Sequence, residues 1–456
     1  MRIHVHQLTM LAAVVAALDF MPAGARAQAG YVDPSFLNGQ SGPNSWVWAL
    51  AEQSDGRWLG GGQFTGFNGV PGGEVVRLND DGSVDTNFTF NITAGDTTVH
   101  SLAVQPDGRI LVGGMFTGVN GVPCVRIGRL NADGSLDSNF VASATGQSFT
   151  TVSHIGVQTN LQIVIGGWFD TVDGVAHAGI ARLNQDGSLD SGYNASIDVS
   201  PNALLVQSDD KVLIGGAIST VNGQSKPYLA RLNPDGTLDT NFVATVDGNV
   251  DAFARQPDGK IIIGGNFTHV NTVARNRIAR LNTNGTLDTT FQNGMAGADG
   301  YVGCVAYDPA GRVLVGGQFS HMNNTARNWI ARLNADGSLD TNFLATIDNY
   351  LELVQVQPDS RVMIEGSYVT TVDGRSRNRL ARLQASLAPV ISRPRTAGGL
   401  FSFDVNAVAG QTYGIVAATN VTGPWIQIAT TNAAFDNFTF TTNTSQFPSR
   451  FFRAYR

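Results

Sequence analysis

The sequence predicts an all-β fold: a seven-bladed β-propeller closed by the N-terminal strand and followed by a small β-sandwich-like C-terminal module. Three observations lead to this prediction. A unit of about 50 residues recurs along most of the chain, and each copy reads as short strands between Asp-Gly turns. A strand that is missing from the last copy is present near the N-terminus. Repeats of this length with internal turns are typical of propellers and solenoids.

The first 27 residues have the pattern of a secretory signal peptide. Arg2 precedes an apolar run from Leu8 to Leu18, and Ala25 and Ala27 form a small-x-small cleavage site. The apolar run is too short to span a bilayer. We therefore expect cleavage near Ala27 and a protein that is secreted or held at the cell surface, without a membrane span.

Each repeat is marked by an arginine that opens the sequence "RLN" or a close variant. These arginines are 49 to 53 residues apart: Arg77, Arg129, Arg182, Arg231, Arg280, Arg332 and Arg382. In the second unit, the segments "VHSLAVQ", "RILVGGMF", "RIGRLN" and "SLDSNF" are separated by "PDG", a longer loop and "ADG". Alternating apolar residues between Asp-Gly turns predict four antiparallel strands in each unit.

The two ends of the repeat array fit together. After Arg382 the chain reads "RLQASLAPV", so the seventh unit lacks its fourth strand, whereas "YVDPSF" from Tyr31 to Phe36 resembles that strand. A first segment that completes the last blade would hide the edges that an open stack exposes. We therefore predict a propeller over residues 28–387, a linker over 388–397 and a C-terminal module over 398–456.

The C-terminal segment follows Pro389 and Pro394, which mark the predicted linker. Five segments in it read as strands, among them "LFSFDVNAV", "QTYGIVAAT" and "RFFRAYR". Their alternation of apolar and polar residues predicts a small β module. The segment is similar to short C-terminal modules of secreted bacterial proteins, which implies a role in attachment or sorting.

The repeat itself resembles the Delta-60 repeat family of secreted bacterial proteins. The resemblance lies in "QPDG", "ILVGG", "RLN", "DGSLD" and a closing Phe, and it extends over about three quarters of the chain. It implies a β-propeller fold, and it implies no established activity.

Composition narrows the range of partners. The chain has a net charge of -7, only 14% charged residues and no basic block, which argues against nucleic acid because phosphate neutralisation needs clustered Lys and Arg. The two cysteines, Cys124 and Cys304, lie four units apart, and we expect both to be free.

Residues that recur in every unit are predicted to be structural. The double glycines fall in the second strand, where missing side chains allow a neighbouring backbone to approach. The Arg of "RLN" and the Asp of "SLD", such as Arg129 and Asp137, should come close across the hairpin, where an ion pair or Asx-type bonds could join them. The run from Asn131 to Asp137 also has the oxygen-rich composition of a calcium loop, but it lacks the later bidentate Glu.

Variable positions in the first strand are the candidate site. Counting back five residues from the start of each first turn gives Trp48, His100, Ser153, Asn202, Asp251, Gly303 and Glu352. His100, Asp251 and Glu352 could act as acid and base groups or as cation ligands, and Trp48 and Asn202 could bind a sugar. The alternative is that these side chains only line a hydrated channel. No nucleophile or zinc motif occurs in the sequence.

A second set of acidic residues lies in the crossings between units. Asp96, Asp198, Asp247, Asp299 and Asp348 occupy corresponding places there. They are candidate metal ligands, and calcium is the metal that their carboxylates would take. No other cofactor is expected.

The loops of units five to seven form a basic sector beside this acidic region. It contains His269, His321, Arg275, Arg277, Arg327, Trp329, Arg375 and Arg377. These side chains could hold a carboxylated or sulfated polymer. Loop solubility explains them equally well.

Two functions are open at this point, besides a purely structural role. The first is a secreted, monomeric binding or scaffold protein that recognises an extracellular polysaccharide or a surface partner through its loop-rich face. The alternative is a polysaccharide lyase or glycoside hydrolase with its site at the mouth of the central channel. Propellers host both classes, so the fold alone does not choose between them.

Overall fold

The computed structural model describes residues 29–33, 35–37, 39–147 and 149–384, and six strands between residues 391 and 455. Every regular element in these residues is a β-strand. The chain divides into two compact units, of which one is Val32–Leu383 and the other contains the C-terminal strands.

The larger unit contains seven antiparallel sheets of one design, in which the second strand lies between the first and the third. The first, second and third strands are Val47–Glu52, Trp58–Gly62 and Val75–Leu78 in sheet 1; Ile92–Val104, Ile110–Val119 and Ile127–Leu130 in sheet 2; Thr151–Val157, Ile163–Trp168 and Ile180–Leu183 in sheet 3; Ala203–Val206, Val212–Gly215 and Leu229–Leu232 in sheet 4; Val250–Arg255, Ile261–Gly265 and Ile278–Leu281 in sheet 5; Tyr301–Tyr307, Val313–Gln318 and Ile330–Leu333 in sheet 6; and Leu353–Val356, Val362–Glu365 and Leu380–Leu383 in sheet 7.

Short strands occupy the loop between the second and third strand of each sheet. The pairs are Gly66–Phe67 with Val70–Pro71, Val122–Pro123 with the end of the second strand of sheet 2, Thr171–Val172 with Val175–Ala176, Thr220–Val221 with Gln224–Ser225, His269–Val270 with Val273–Ala274, His321–Met322 with Thr325–Ala326, and Thr371–Val372 with Arg375–Ser376. In addition, Ala144–Thr145, which precedes the first strand of sheet 3, pairs with Thr171–Val172.

A fourth segment pairs with the end of each third strand through one bridge. In sheets 1 to 6 the bridges are Leu78 with Val84, Leu130 with Leu136, Leu183 with Leu189, Leu232 with Leu238, Leu281 with Leu287, and Leu333 with Leu339. In sheet 7 the partner comes from the other end of the chain, because Leu383 pairs with Val32. In sheet 7 the N-terminal segment thus takes the place that the fourth segment of the same repeat has in the other six sheets.

The same triad of arginine, aspartate and aromatic ring occurs in all seven sheets, and its arginine is buried in all of them except sheet 3, where Arg182 is half-buried. In each triad the guanidinium lies 2.7 to 2.9 Å from the carboxylate and 4.5 to 4.9 Å from the ring centroid. The triads are Arg77–Asp85–Phe88, Arg129–Asp137–Phe140, Arg182–Asp190–Tyr193, Arg231–Asp239–Phe242, Arg280–Asp288–Phe291, Arg332–Asp340–Phe343 and Arg382–Asp33–Phe36. The predicted ion pairs are confirmed, and the ring adds a cation–π contact.

Six of these arginines also join their own sheet to the next one. Nη1 of Arg129 donates to the carbonyl of Gln185 at 2.5 Å, and Nη1 of Arg280 donates to that of Ala335 at 2.7 Å. Both carbonyls lie in the third-to-fourth turn of the following sheet. Arg382 makes the corresponding contact with Asp80 of sheet 1, at 2.6 Å. The last sheet is therefore bonded to the first.

The double glycines of the second strands allow two close approaches, as predicted. A Cβ on Gly62 would lie 2.0 Å from the carbonyl oxygen of Trp46, and one on Gly265 would lie 2.0 Å from that of Asn249. A Cβ on the first glycine, such as Gly61, would lie 2.6 Å from Val99 of the next sheet. Apolar clusters fill the space between sheets, for example the one that includes Phe291 of sheet 5 and Val302 and Val315 of sheet 6.

The C-terminal strands form two three-stranded antiparallel sheets. One sheet contains Ile391–Ala397, Leu400–Asn406 and Asn437–Asn443, and the other contains Thr412–Ala418, Ile426–Asn432 and Phe451–Tyr455. The sequence assigns 388–397 to a linker because of its prolines, whereas Ile391–Ala397 is a strand. Pro394 lies where the register shifts between Ser392 and Arg395, a place where a strand tolerates a missing N–H. The predicted signal peptide, residues 1–27, lies outside the described residues.

The triad of sheet 7 can be tested by removing its carboxylate. Asp33→Ala leaves the fully buried guanidinium of Arg382 without its main counter-ion, and we expect the free energy of unfolding to fall by about 3 kcal/mol. Denaturant unfolding measures the change. Asp340→Ala, which breaks the triad of sheet 6, is the matched control. A loss for Asp33→Ala far below that for Asp340→Ala would show that the N-terminal segment does not complete sheet 7.

The same pair predicts a pH dependence. Burial acts to raise the pKa of Asp33, but hydrogen bonds from Ser35 and the charge of Arg382 outweigh it and hold the pKa below its ordinary range. The ionised carboxylate therefore stabilises the fold above the unfolded-state pKa of about 3.9, and this contribution is lost as the pH falls through the folded-state pKa. We expect the stability difference between wild type and Asp33→Asn to be constant from pH 6 to 8 and to shrink below about pH 4. A difference that grows on acidification would contradict this.

Candidate functional site

The candidate positions of the first strands share one local geometry. In sheets 1, 2, 3, 5 and 6 the first strand carries a β-bulge, and the extra residue is Trp48, His100, Ser153, Asp251 or Gly303. In sheets 4 and 7, Asn202 and Glu352 directly precede the first strand. Bulges redirect a side chain away from the regular pleat and are frequent beside functional sites. The sequence register therefore identified a structurally equivalent set.

The residues two positions before these candidate positions form a second equivalent set. The carbonyls of Trp46, Thr98, Thr151, Asn249, Tyr301 and Tyr350 all face the second glycine of their sheets. We call the two sets together the rim, and it consists of Trp46, Trp48, Thr98, His100, Thr151, Ser153, Ser200, Asn202, Asn249, Asp251, Tyr301, Gly303, Tyr350 and Glu352. Sequence reasoning missed the aromatic residues at the earlier position, which fall in sheets 6, 7 and 1.

Rim residues of neighbouring sheets touch one another. The ring of Trp48 stacks on that of His100 with centroids 4.5 Å apart. Asn202 Nδ2 donates to Asp251 at 2.6 Å, and Asp251 also interacts electrostatically with Tyr301 of the next sheet. The rim thus brings Trp48 together with His100, and Asn202 with Asp251.

The first strands are in contact all the way from sheet 1 to sheet 7 and back. Besides the rim pairs, Ser101 Oγ donates to the carbonyl of Val152 at 3.4 Å, and His154 Nε2 lies 2.9 Å from the carbonyl of Asn202. Gln355 of sheet 7 donates to the carbonyl of Leu50 in sheet 1 at 2.8 Å. The rim residues accordingly belong to one continuous set of strands.

Sheet 7 departs from the repeat at the rim. Glu365 pairs with Leu353 and so stands where the other six sheets have their first glycine. One extra residue follows, because Asp348 binds the N–H of a residue 22 positions later, whereas Asp247 and Asp299 bind one 21 positions later. The extra residue leaves Tyr368 55% exposed, with its ring 5.9 Å from that of Tyr350.

The carboxyl groups of sheet 7 have different surroundings. Glu352 Oε2 accepts hydrogen bonds from the backbone N–H of Ser367, at 3.0 Å, and from its hydroxyl. Glu365 is 0% exposed, and among the described residues neither of its carboxyl oxygens accepts a hydrogen bond. Burial, and then the charge of Glu352, raise the pKa of Glu365 well above its ordinary range. Burial likewise raises the pKa of Asp251.

The aspartates of the crossings hold the following loops in place. Asp247 accepts hydrogen bonds from the N–H groups of Thr268 and His269 at 2.7 and 2.8 Å, and Asp299 accepts the corresponding pair from Ser320 and His321 at 2.8 Å. Asp198 and Asp348 do the same in sheets 4 and 7, with Ser219 and Thr370 as donors. Asp96 is exposed and has no hydrogen bond to the described residues. The five residues belong to separate crossings.

Within the described part of the chain, no three His, Cys, Asp or Glu side chains lie close enough to form a metal site. Calcium binding by these aspartates therefore depends on the sequence pattern alone, and it stays a prediction. A shallow polar cleft of about 510 Å³ lies elsewhere, between the turns of sheet 3, and its lining includes Asn160, Gln162 and Asp186.

The basic sector consists of equivalent residues on three sheets. Arg275, Arg327 and Arg377 each donate Nη1 to the carbonyl of the preceding residue at 2.8 to 2.9 Å. Arg277 donates to the carbonyl of Ala298 at 3.0 Å. Arg275 and Arg377 are buried, while Arg375 and Trp329 are half-buried. Much of this basic charge is thus directed at the protein's own loops.

The tips of the same loops carry a feature that sequence reasoning missed. Asn68 has a positive φ of 54°, accepts a hydrogen bond from Gly42 N–H and donates one to the carbonyl of Gly82 in the third-to-fourth turn. Asn271 makes the same contacts in sheet 5, and Asp373 binds the N–H of Val32 in sheet 7. An Asn or Asp at this place in every loop, followed by Gly in five of the seven, was the available signal. These tips are fastened to their own sheets.

Comparison with known proteins identifies the repeat. A sequence model of the family described as "Domain of unknown function (DUF5122) beta-propeller" matches residues 53–88, 105–140, 162–193, 207–242, 256–291 and 309–343. Each match begins at or near a first turn and ends at the aromatic residue of a triad. The chain is a β-propeller repeat protein. No curated protein sequence matches it.

Three solved structures are similar to the chain at low identity. The first is the extracellular domain of a proposed one-component system from B. thetaiotaomicron, at 9% identity and TM-score 0.48, with 95% of this chain and 58% of that chain covered. A gluconolactonase from Xanthomonas campestris has 17% identity and TM-score 0.38, with 65% and 95% covered. An inactive virginiamycin B lyase from Staphylococcus aureus, solved with quinupristin, has 9% identity and TM-score 0.32, with 81% and 94% covered. The chain thus spans little more than half of the first structure.

No helix that could cross a membrane occurs among the described residues.

The role of the crossing aspartates can be tested together with the calcium prediction. Asp247→Ala removes the acceptor for two backbone N–H groups, so we expect the free energy of unfolding to fall by about 1 to 2 kcal/mol. The measurement is repeated with excess EDTA and with millimolar calcium, and Asp209→Ala in a first turn is the control. Equal losses in both buffers are expected. Calcium that stabilises the wild type but not Asp247→Ala would instead establish a metal site.

Proposed function

We propose that this chain is an exported protein built on a seven-bladed β-propeller that the segment before Leu37 closes, and that it binds an extracellular polysaccharide at the rim. Seven sheets of one design, and the bonds from sheet 7 to sheet 1, support the ring. The predicted signal peptide supports export, and the C-terminal strands are proposed to form a separate β-sandwich-like module. Membership of the Delta-60 repeat family is part of the same proposal.

The observation that carries the proposal is the arc of aromatic rings on sheets 6, 7 and 1. Tyr301, Tyr350 and Trp46 occupy equivalent places on three consecutive sheets, and Trp48 lies beside Trp46 with ring centroids 5.8 Å apart. Aromatic faces bind the apolar faces of sugar rings, and nearby polar groups bind the hydroxyls. Asp251 and Glu352 lie among these rings and supply acceptors. The positions that differ from the repeat are therefore the ones suited to a sugar chain.

A second candidate function is hydrolysis or lyase cleavage of the polysaccharide at the same place. Asp251 has a raised pKa, as a general acid requires, and Glu352 is held by Ser367 as a carboxylate base would be. His100 would be the third group of this site. The arginines of the basic sector are proposed as a separate contact for an acidic surface partner.

The binding function is tested with residues 28–456 and a panel of neutral, acidic and basic soluble polysaccharides in affinity electrophoresis and calorimetry. Trp48→Ala removes the ring that stacks on His100, and we expect the affinity for the bound polymer to fall about five- to tenfold. Trp168→Ala, which removes an exposed tryptophan outside the rim, is the control and should bind normally. If no polymer binds, or if both variants bind normally, the rim is not the site.

Catalysis is tested by following the release of oligosaccharides from the same panel by chromatography with mass detection. A product that disappears in both Asp251→Asn and Glu352→Gln would make the protein an enzyme, and unsaturated ends would identify a lyase. Intact polymer that co-elutes with the protein is the result we expect.

A further inference from the structure

The charged side chains of the rim are all carboxylates. Asp251 and Glu352 are the only charged residues at the rim positions, none of which is Lys or Arg. His100 lies there as well and His154 lies next to the rim residue Ser153, but burial lowers the pKa of His100 and takes that of His154 to about 4, which favours the neutral form of both. A ligand at the rim therefore meets negative charge.

Sheet 7 carries two carboxyl groups beside the aromatic arc. Glu365 takes the place of a glycine that the other six sheets keep, and it interacts electrostatically with Glu352. Arg379 also acts on Glu365, but its Nη1 donates to Asn378 Oδ1 at 2.9 Å and not to Glu365. Burial and the charge of Glu352 both favour the neutral form of Glu365, so Glu352 is the group that presents negative charge here. Glu352 is half-buried and has no bonded cation among the described residues, and a positive group placed against it would supply that counter-charge.

The surroundings of Glu352 favour an organic cation over a metal ion. Calcium takes six to eight oxygen ligands, whereas no three acidic, His or Cys side chains gather in the described sheets. Aromatic rings lie on the same sheet as Glu352 and on the sheet that its first strand contacts, with Tyr350 and Tyr368 on sheet 7 and Trp46 and Trp48 on sheet 1. Ring faces attract ammonium groups through cation–π contacts and also stack on sugars.

We propose that the rim is a site for an amine-bearing sugar polymer, with an ammonium group against Glu352 and sugar rings against Tyr350 and Trp48. The inference rests on the proposed binding of a polysaccharide at the rim, and it specifies the charge of that ligand. It also separates the rim from the basic sector, which would attract ligands of the opposite sign.

The test uses three oligosaccharides of equal length with the same β-1,4 linkage, built from glucosamine, N-acetylglucosamine or glucose. Calorimetry with residues 28–456 is carried out in EDTA at pH 6, where the amines are charged. We expect the glucosamine oligomer to bind at least about tenfold more tightly than the other two, because a hydrogen bond between charged groups replaces a neutral one. Added salt should reduce this preference.

A variant identifies the carboxylate responsible. Glu352→Gln keeps the shape and should reduce the preference to within about threefold, while Asp209→Asn removes one negative charge from a first turn and should leave it unchanged. Equal binding of the three oligomers would overturn the inference and leave the proposed function standing. If none of the three oligomers binds, the inference is overturned. If no polysaccharide in the panel binds either, the proposed function is overturned as well. A lysine peptide that binds as tightly as the glucosamine oligomer would overturn the assignment to a sugar.

Discussion

One arginine in each sheet, buried in six of the seven and held by a carboxylate and an aromatic ring, is the contact on which the arrangement of sheets depends. A guanidinium loses its hydration when it is buried, and it is tolerated only with a partner of opposite charge. The guanidinium of Arg280 donates hydrogen bonds to Asp288 of its own sheet and to the carbonyl of Ala335 in the next sheet. The same side chain thus fixes the fourth segment and the neighbouring sheet, so the spacing of sheets repeats with the sequence.

Sheet 7 departs from the design that the other six sheets share, and these departures need an explanation of their own. Where six sheets have a glycine, sheet 7 has Glu365, and the residue inserted after it exposes Tyr368 next to Tyr350. An isolated buried carboxyl destabilises a fold, and no other sheet carries one at this place. Departures that cost stability and lie together are more easily explained by a ligand than by packing. The departures from the repeat are thus concentrated on sheet 7, beside the aromatic residues at the equivalent positions of sheets 6 and 1.

Repetition made most of the fold predictable from the sequence, because a residue that is present in every unit must have a structural role in every unit. The pairs such as Arg129 with Asp137, the glycine pairs and the pairing of the N-terminal segment with sheet 7 followed from this. The site was predictable only in part. The register of Trp48 and Asp251 could be counted, but the aromatic set at Tyr350 requires knowing which residues precede a bulge. Glu365 passed unnoticed because its neighbours in sequence are ordinary strand residues.

The order in which a ribosome makes the chain sets the order in which these sheets can form. Each of the first six sheets has all its segments once its own repeat has been synthesised. Sheet 7 differs, because Asp33 is made early and its partner Arg382 is synthesised 349 residues later. At about 5 to 20 residues per second, that interval lasts roughly 20 to 70 s. Throughout it, the apolar face of Phe36 has no partner in sheet 7. The N-terminal segment can pack on sheet 1 early, through Phe36 and Leu37, but its pairing with sheet 7 must be the last of the seven to form.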